Sequence, residues 1–375
     1  MSAPPPPVPR YGTCSLADLP PSALAALGVP GAANVLGLPS APRVCVLLVD
    51  GLGWEQLRAH PGEAPFLNAM GGRAIDAGLP ATTVTSIGSL GTGLPPGGHG
   101  LLGLQVAVPG TGRLLNLLRW SDDAGVDPAG FQPVPTVFER AAADGVAVRY
   151  VGAWHLRNTP LTRAASRGAE HLRADAMGEL VGRAEAVLRE HDRAYVTVYH
   201  ADLDATGHRR GVDSPEWRFQ LGFVDLLAER LAGVLPAGTL LCVTSDHGMI
   251  DPGERLDADR TPELLDGVAL LGGDARCRYV YAEPGARDDV LAAWRAAVGD
   301  RAWVVPREEA VADGWFGAMA PGMTDRIGDV VAVPHGDLAI VASEREPWLA
   351  HMVGMHGSMI SAERLVPLLT VSGPT

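Results

Sequence analysis

Short, β-branched apolar runs recur along this chain at Val44–Val49, Ala147–Val151, Tyr195–Tyr199 and Leu240–Thr244. Helix-like segments separate them, at Pro135–Ala143, Ala174–Arg189 and Pro215–Leu235. Within the second of these, Met177, Leu180, Val181, Ala184, Val187 and Leu188 fall at helical spacing. Apolar strands alternating with amphipathic helices predict an α/β fold, with a mostly parallel central sheet and helices on both faces. The chain of 375 residues is long for one compact domain and short for three, so one large domain carrying an insertion is expected. Residues 1–40 are Pro- and Ala-rich and read as an irregular lead-in with a short helix around Ala23–Leu27. The main domain is expected over 41–254 and 346–375, with a small inserted cap subdomain over 255–345.

The ends of the apolar runs carry the chemistry. Asp50 closes RVCVLLVDGLG, and Asp246 and His247 close GTLLCVTSDHGM. Asp204 and His208 follow in AYVTVYHADLDATGH, and His356 sits in GMHGS. In open α/β sheets, ligand groups gather at the carboxyl ends of strands, so these residues are candidates for one shared site. Three carboxylates and three imidazoles without a thiolate suit one or two catalytic divalent ions. Two such ions clamp a phosphoryl group. Zinc suits the set first, and manganese or iron also fits.

A hydroxyl-rich segment, AGLPATTVTSIGSLGTGLPPGGHG, follows the first strand and offers Thr82, Thr83, Thr85, Ser86 and Ser89. Beside a metal, such a hydroxyl becomes a nucleophile toward phosphorus; taken singly, each also reads as a helix cap or core group. GSLGTG is no dinucleotide fingerprint, since no strand directly precedes it and no acidic ribose partner follows.

Composition removes whole classes of function. The net charge is −13, and all 30 basic residues are Arg. Without Lys there is no Schiff-base chemistry, Lys general base or P-loop. The acidity argues against a nucleic-acid polymer as partner but not against a small phosphorylated substrate, because bound cations invert the local field. Cys14, Cys45, Cys242 and Cys277 form neither a zinc-knuckle spacing nor a disulfide framework. No apolar stretch approaches the roughly 20 residues that span a bilayer. The start, MSAPPPPVPRYGTCS, lacks the basic and apolar regions of a signal peptide. A cytoplasmic protein without a membrane partner is expected; nothing in the residues sets its oligomeric state.

Taken in order, DGLG at Asp50, TTVTS…GTGLPPGGHG, DATGH at Asp204–His208, SDHGM at Asp246 and MHG at His356 resemble the nucleotide pyrophosphatase/phosphodiesterase family of the alkaline phosphatase superfamily. The resemblance runs from about residue 40 to 370 and implies an alkaline-phosphatase-like sheet. It further implies that Asp50, Asp246 and His247 hold one zinc together with the nucleophilic hydroxyl, while Asp204, His208 and His356 hold the other. The nucleophile it implies is Thr83, with Thr82 as the neighbouring register. A phosphothreonine would form and then be hydrolysed, with retention at phosphorus. The chain departs from the family where Val84, Thr85 and Ser86 replace Phe-Pro-Asn, so Ser86 or a backbone amide would contact the phosphate oxygen; Leu203 stands in place of the usual Pro. The expected activity is hydrolysis of phosphodiester or nucleotide pyrophosphate bonds. A phosphomonoesterase or phosphonate hydrolase on the same scaffold, and a non-catalytic metal or phospholigand binder, are the alternatives.

Further residues carry two readings each. Asp202 is either an outer partner of His208 or His247, or a solvated cap. His200 reads as a satisfied strand-end histidine, and His99 as a turn or site-lining group. Arg113, Asn116, Arg119 and Trp120 either shape a leaving-group pocket or pack on the surface. Arg209 and Arg210 either form a solvated face or, directly after His208, steer anions toward it, and His335 and His351 lie at the surface.

Overall fold

In the computed structural model, which describes residues 4–373, seven strands form the central sheet. In chain order they are β1 (Arg43–Val49), β2 (Gly72–Asp76), β3 (Ala147–Gly152), β4 (Glu170–Arg173), β5 (Ala194–His200), β6 (Thr239–Ser245) and β7 (Leu365–Ser372). Their spatial order is β2-β7-β6-β1-β5-β3-β4. β1 pairs in parallel with both β5 and β6, whereas β7 runs antiparallel between β6 and β2. Every residue of β5 and β6 is buried, which is why these strands read as continuous apolar runs. Along β1, Val44, Val46 and Leu48 enter one core layer and Cys45, Leu47 and Val49 the other, following the two-residue period of a strand.

Helices cover both faces. On one side lie α1 (Thr83–Thr92) and the helices Leu19–Ala26 and Val137–Ala143. On the other lie α2 (Met177–Glu190) and α4 (Pro215–Val234), while α3 (Asp202–Arg210) follows β5. Ser214 caps α4 by accepting from the Trp217 amide, and Thr136 with Glu139 forms a capping box on Val137–Ala143. The lead-in is more structural than expected: Leu16, Leu19 and Leu24 are buried and help close one core layer.

The register positions the site. Val49 of β1 pairs with His200 of β5 and with Ser245 of β6. Asp50 and Asp246 therefore leave the sheet at the same level on adjacent strands, and α3 leaves from the strand on the other side.

Between His247 and His356 the chain builds a second, antiparallel sheet from Val268–Asp274, Cys277–Ala282, Val330–Pro334 and Ala302–Pro306, in that spatial order. Trp294 of the helix Arg287–Val298 packs on one face, and Tyr279, Trp303 and Val331 of the other face meet Leu101, Leu102 and Phe316. The four cysteines are free thiols, and Cys45, Cys242 and Cys277 are buried. Among the described residues, no helix is long and apolar enough to cross a membrane.

Candidate active site

Asp50 follows β1 directly, and its amide bonds the His200 carbonyl at 2.9 Å. The Tyr199 hydroxyl donates to Asp50 Oδ2, which leaves Oδ1 free. The next residue, Gly51, has φ +76°, and a Cβ there would stand 2.9 Å from Asp204 Cα. Only glycine permits both the left-handed turn and this approach.

Asp246 leaves β6 with its Oδ1 accepting from the amides of Gly51 and His247, each at 3.1 Å. Its Oδ2 is buried and unpartnered. Ser86, on α1, donates its hydroxyl to the Asp246 carbonyl at 2.6 Å. The expectation that Ser86 contacts substrate therefore meets a different geometry: its hydroxyl is fully buried and committed to the loop that carries Asp246.

On α3, Asp204 and His208 lie four residues apart and so share one helix face. His208 Nε2 approaches Asp204 Oδ1 at 3.3 Å, and His356 Nε2 approaches it at 3.8 Å. His247 Nε2 lies 3.3 Å from Asp50 Oδ1 and 3.5 Å from Asp246 Oδ2. The rings of His247 and His356 stack with centroids 3.5 Å apart, which joins the two halves of the site.

All three imidazoles are held the same way. Nδ1 of His208, His247 and His356 donates to the carbonyls of Gly354, Gly248 and Ala81 at 2.8, 2.9 and 2.9 Å. This fixes the tautomer and turns each Nε2 lone pair inward, the arrangement that metal-ligating histidines use. The inward carboxylate oxygens Asp50 Oδ1, Asp204 Oδ1 and Asp246 Oδ2 are buried without a hydrogen-bond partner. Acceptors without donors, converging on one space, fit divalent cations.

Candidate ligand atoms of Asp50, Asp246 and His247 lie within 4.8 Å of one another, as do those of Asp204, His247 and His356. His247 thus belongs to both clusters, while His208 stands just outside the second and reaches it through Asp204.

The buried carboxylates crowd one another, and the charge they share is relieved by a proton or a cation. Burial, reinforced by the Asp50 charge, pushes the Asp246 carboxyl up to about 7. Burial raises Asp204 against the opposing pull of His208. Burial disfavours protonated His247, yet the Asp246 and Asp50 carboxylates outweigh it and carry the ring up to about 10. His356 is held well below the usual imidazole range by burial and by the neighbouring His247 and His208.

Thr83 is the first residue of α1, where Thr82 is the extended N-cap and Gly93 ends the helix at φ +72°. Thr83 Oγ1 lies 3.2 Å from His247 Nε2. Of the two neighbouring threonines, Thr83 makes the contact with the cluster, and GSLGTG lies along α1 and its end.

Other residues fall outside. Asp202 is exposed. His200 Nε2 meets the Gln220 amide at 3.2 Å. His99 is buried in a turn, between the Ser89 hydroxyl at 3.1 Å and the Leu101 amide at 3.1 Å. Trp120 packs edge-on against Phe131, Arg119 covers Trp348, and Asn116 and Arg113 bond nearby backbone. His351 is exposed, whereas His335 is partly buried beside Trp303. Sequence reasoning missed Tyr199 and Ser245; the Ser245 hydroxyl bonds the Leu52 amide and the His247 carbonyl, at 2.8 and 2.9 Å. Their only sequence signal is a polar group within two residues of a strand's carboxyl end.

A family model described as Type I phosphodiesterase / nucleotide pyrophosphatase matches residues 44–359. Among solved structures, murine ectonucleotide pyrophosphatase / phosphodiesterase 5 has a similar fold, with a TM-score of 0.70 at 19% identity over 88% of each chain. An inactive variant of that murine protein, in complex with AMP, gives 0.68 at 19% identity over 87% of each chain. Phosphonoacetate hydrolase from Sinorhizobium meliloti 1021, in complex with phosphonoacetate, gives 0.66 at 19% identity, over 88% of this chain and 90% of that one. No curated protein sequence matches this chain.

Proposed function

The chain belongs to the type I phosphodiesterase / nucleotide pyrophosphatase family, and we propose that it hydrolyses phosphodiester or nucleotide pyrophosphate bonds on a two-metal site with Thr83 as the nucleophile. One observation carries this reading: the unpartnered oxygens of Asp50, Asp204 and Asp246 converge with inward imidazole nitrogens whose other nitrogens are tied to backbone carbonyls. Asp50, Asp246 and His247 would hold one divalent ion together with Thr83, and Asp204, His208 and His356 would hold the other. Zinc suits this nitrogen and oxygen set, as do manganese and iron.

When bound, the ions supply the charge that lowers the pKa of the Thr83 hydroxyl and neutralises the phosphoryl oxygens. The protein's own groups do the positioning. Thr83 Oγ1 attacks phosphorus as the bond to the leaving oxygen breaks, and water then cleaves the phosphothreonine. Because Thr83 opens α1, the free amides and positive end of that helix would face a phosphoryl group attacked by it. With no Lys in the chain, the ions would be what neutralises the clustered carboxylates. The substrate is a small phosphorylated molecule; the AMP complex of the murine neighbour supports a nucleotide.

Initial rates after chelation and metal add-back test this reading, on bis(p-nitrophenyl) phosphate, p-nitrophenyl thymidine monophosphate, p-nitrophenyl phosphate and phosphonoacetate. Metal-restored preference for the first two supports it. Preference for the monoester or for the phosphonate replaces it with the phosphatase or phosphonate-hydrolase reading.

A further inference from the structure

Helix α4 has two apolar faces. Its inner stripe, with Trp217, Leu221, Val224, Leu227 and Leu231, is buried against the sheet side of the core. Its outer stripe is in solvent: Phe219 is 71% exposed, Phe223 49% and Leu226 42%. An aromatic pair and a leucine exposed together on one helix face mark an interaction surface.

The outer stripe continues as Glu216, Phe219, Phe223, Leu226, Arg230 and Gly233, spaced alternately by three and four residues and all exposed. That is the spacing of a coiled-coil seam, and it extends about 26 Å along the helix. The seam carries an acid at its start and a base near its end. Both have only loose partners within the chain: Arg210 lies 3.7 Å from Glu216, and Glu229 lies 4.0 Å from Arg230, all well exposed.

We propose that this seam is the interface of a homodimer in which two copies of α4 pair antiparallel about a two-fold axis at Phe223. A two-fold contact must be self-complementary, since each residue meets the image of its opposite number. Centred on Phe223, the operation sets Glu216 against Arg230 of the partner subunit, each seven residues from the axis, and brings Phe219, four residues from it, alongside Leu226 of the partner subunit, three residues from it. Phe223 meets its own image, and Gly233, beyond the charged end, offers no bulk to obstruct the approach. A parallel pairing would instead place Glu216 against Glu216 of the partner subunit, so the charges select the antiparallel arrangement. One helix seam is small beside the roughly 800 Å² per partner of a standard interface, so the dimer dissociates on dilution.

Sedimentation equilibrium of the full chain over a range of concentrations tests the proposal. Wild type is expected to show a reversible monomer–dimer equilibrium. Phe223→Glu is expected to be monomeric, with unchanged far-ultraviolet circular dichroism and turnover, because the side chain lies on the exposed outer face of α4. Glu216→Arg and Arg230→Glu each weaken the dimer at least tenfold, and the two combined restore it, since the exchanged charges again face each other. A wild type monomeric at every concentration, a dimer indifferent to Phe223→Glu, or a double variant no tighter than either single one overturns the proposal.

Discussion

Gly51 and Asp204 meet backbone to backbone: a Cβ on Gly51 would lie 2.9 Å from both Cα and Cβ of Asp204, whose amide donates to the Asp50 carbonyl at 3.2 Å. This contact brings the carboxylates of two adjacent strand ends into one cluster. Gly51→Ala must pay about 1–2 kcal/mol for the left-handed backbone and must also push α3 away. The expected result is a lower melting temperature, with metal lost first from the Asp204 side. Metal analysis with scanning calorimetry checks this; full metal content at the wild-type melting temperature would contradict it.

Tyr199 positions Asp50 from behind. Tyr199→Phe keeps the ring and removes the donor to Oδ2. Loss of such an outer partner typically costs about 10–100-fold in metal affinity. Chelator competition should show a fall of that size with the fold intact, and an unchanged affinity would remove Tyr199 from the site.

Ser86 separates a structural role from a substrate role. Ser86→Ala leaves the buried Asp246 carbonyl without its donor, at a cost of about 1–3 kcal/mol. Denaturant unfolding should register that loss while KM stays near the wild-type value. A large rise in KM without loss of stability would return Ser86 to the substrate.

His99 makes the fold acid-sensitive. Burial, with Arg326 nearby, pushes its imidazole down to about 3, and its Nδ1 accepts from the Leu101 amide. The folded value lies below the unfolded value of about 6.5. The unfolded chain therefore binds the proton first as pH falls, and stability is lost from about pH 6.5 down toward the folded value, by up to about 1.4 kcal/mol per pH unit. A His99→Gln variant should show a shallower decline between about pH 4 and pH 6. An identical slope would assign the decline to other groups.

The strand ends were legible because a parallel sheet aligns them. Once Val44–Val49 and Leu240–Thr244 read as buried strands, Asp50 and Asp246 had to emerge together. β7 was not legible: Pro367 within LVPLLTVS is a poor signal for an interior strand. The structure accommodates it because pairing with β6 begins only at Leu368, one residue later. Sequence patterning also could not separate Trp120 in an apolar core from Trp120 in a pocket, because both demand a large aromatic residue. Tyr199 and Ser245 escaped notice because their roles arise from contacts between strands, not from spacing along one.

The central claim is that Thr83 attacks phosphorus while the six aspartates and histidines hold the ions. The most direct test measures metal content and diester turnover together in wild type and Thr83→Ala. The account predicts two ions per chain in both proteins and a loss of turnover by about a thousandfold or more in the variant, as expected for a lost nucleophile. Undiminished turnover in Thr83→Ala, with its metal in place, would contradict it.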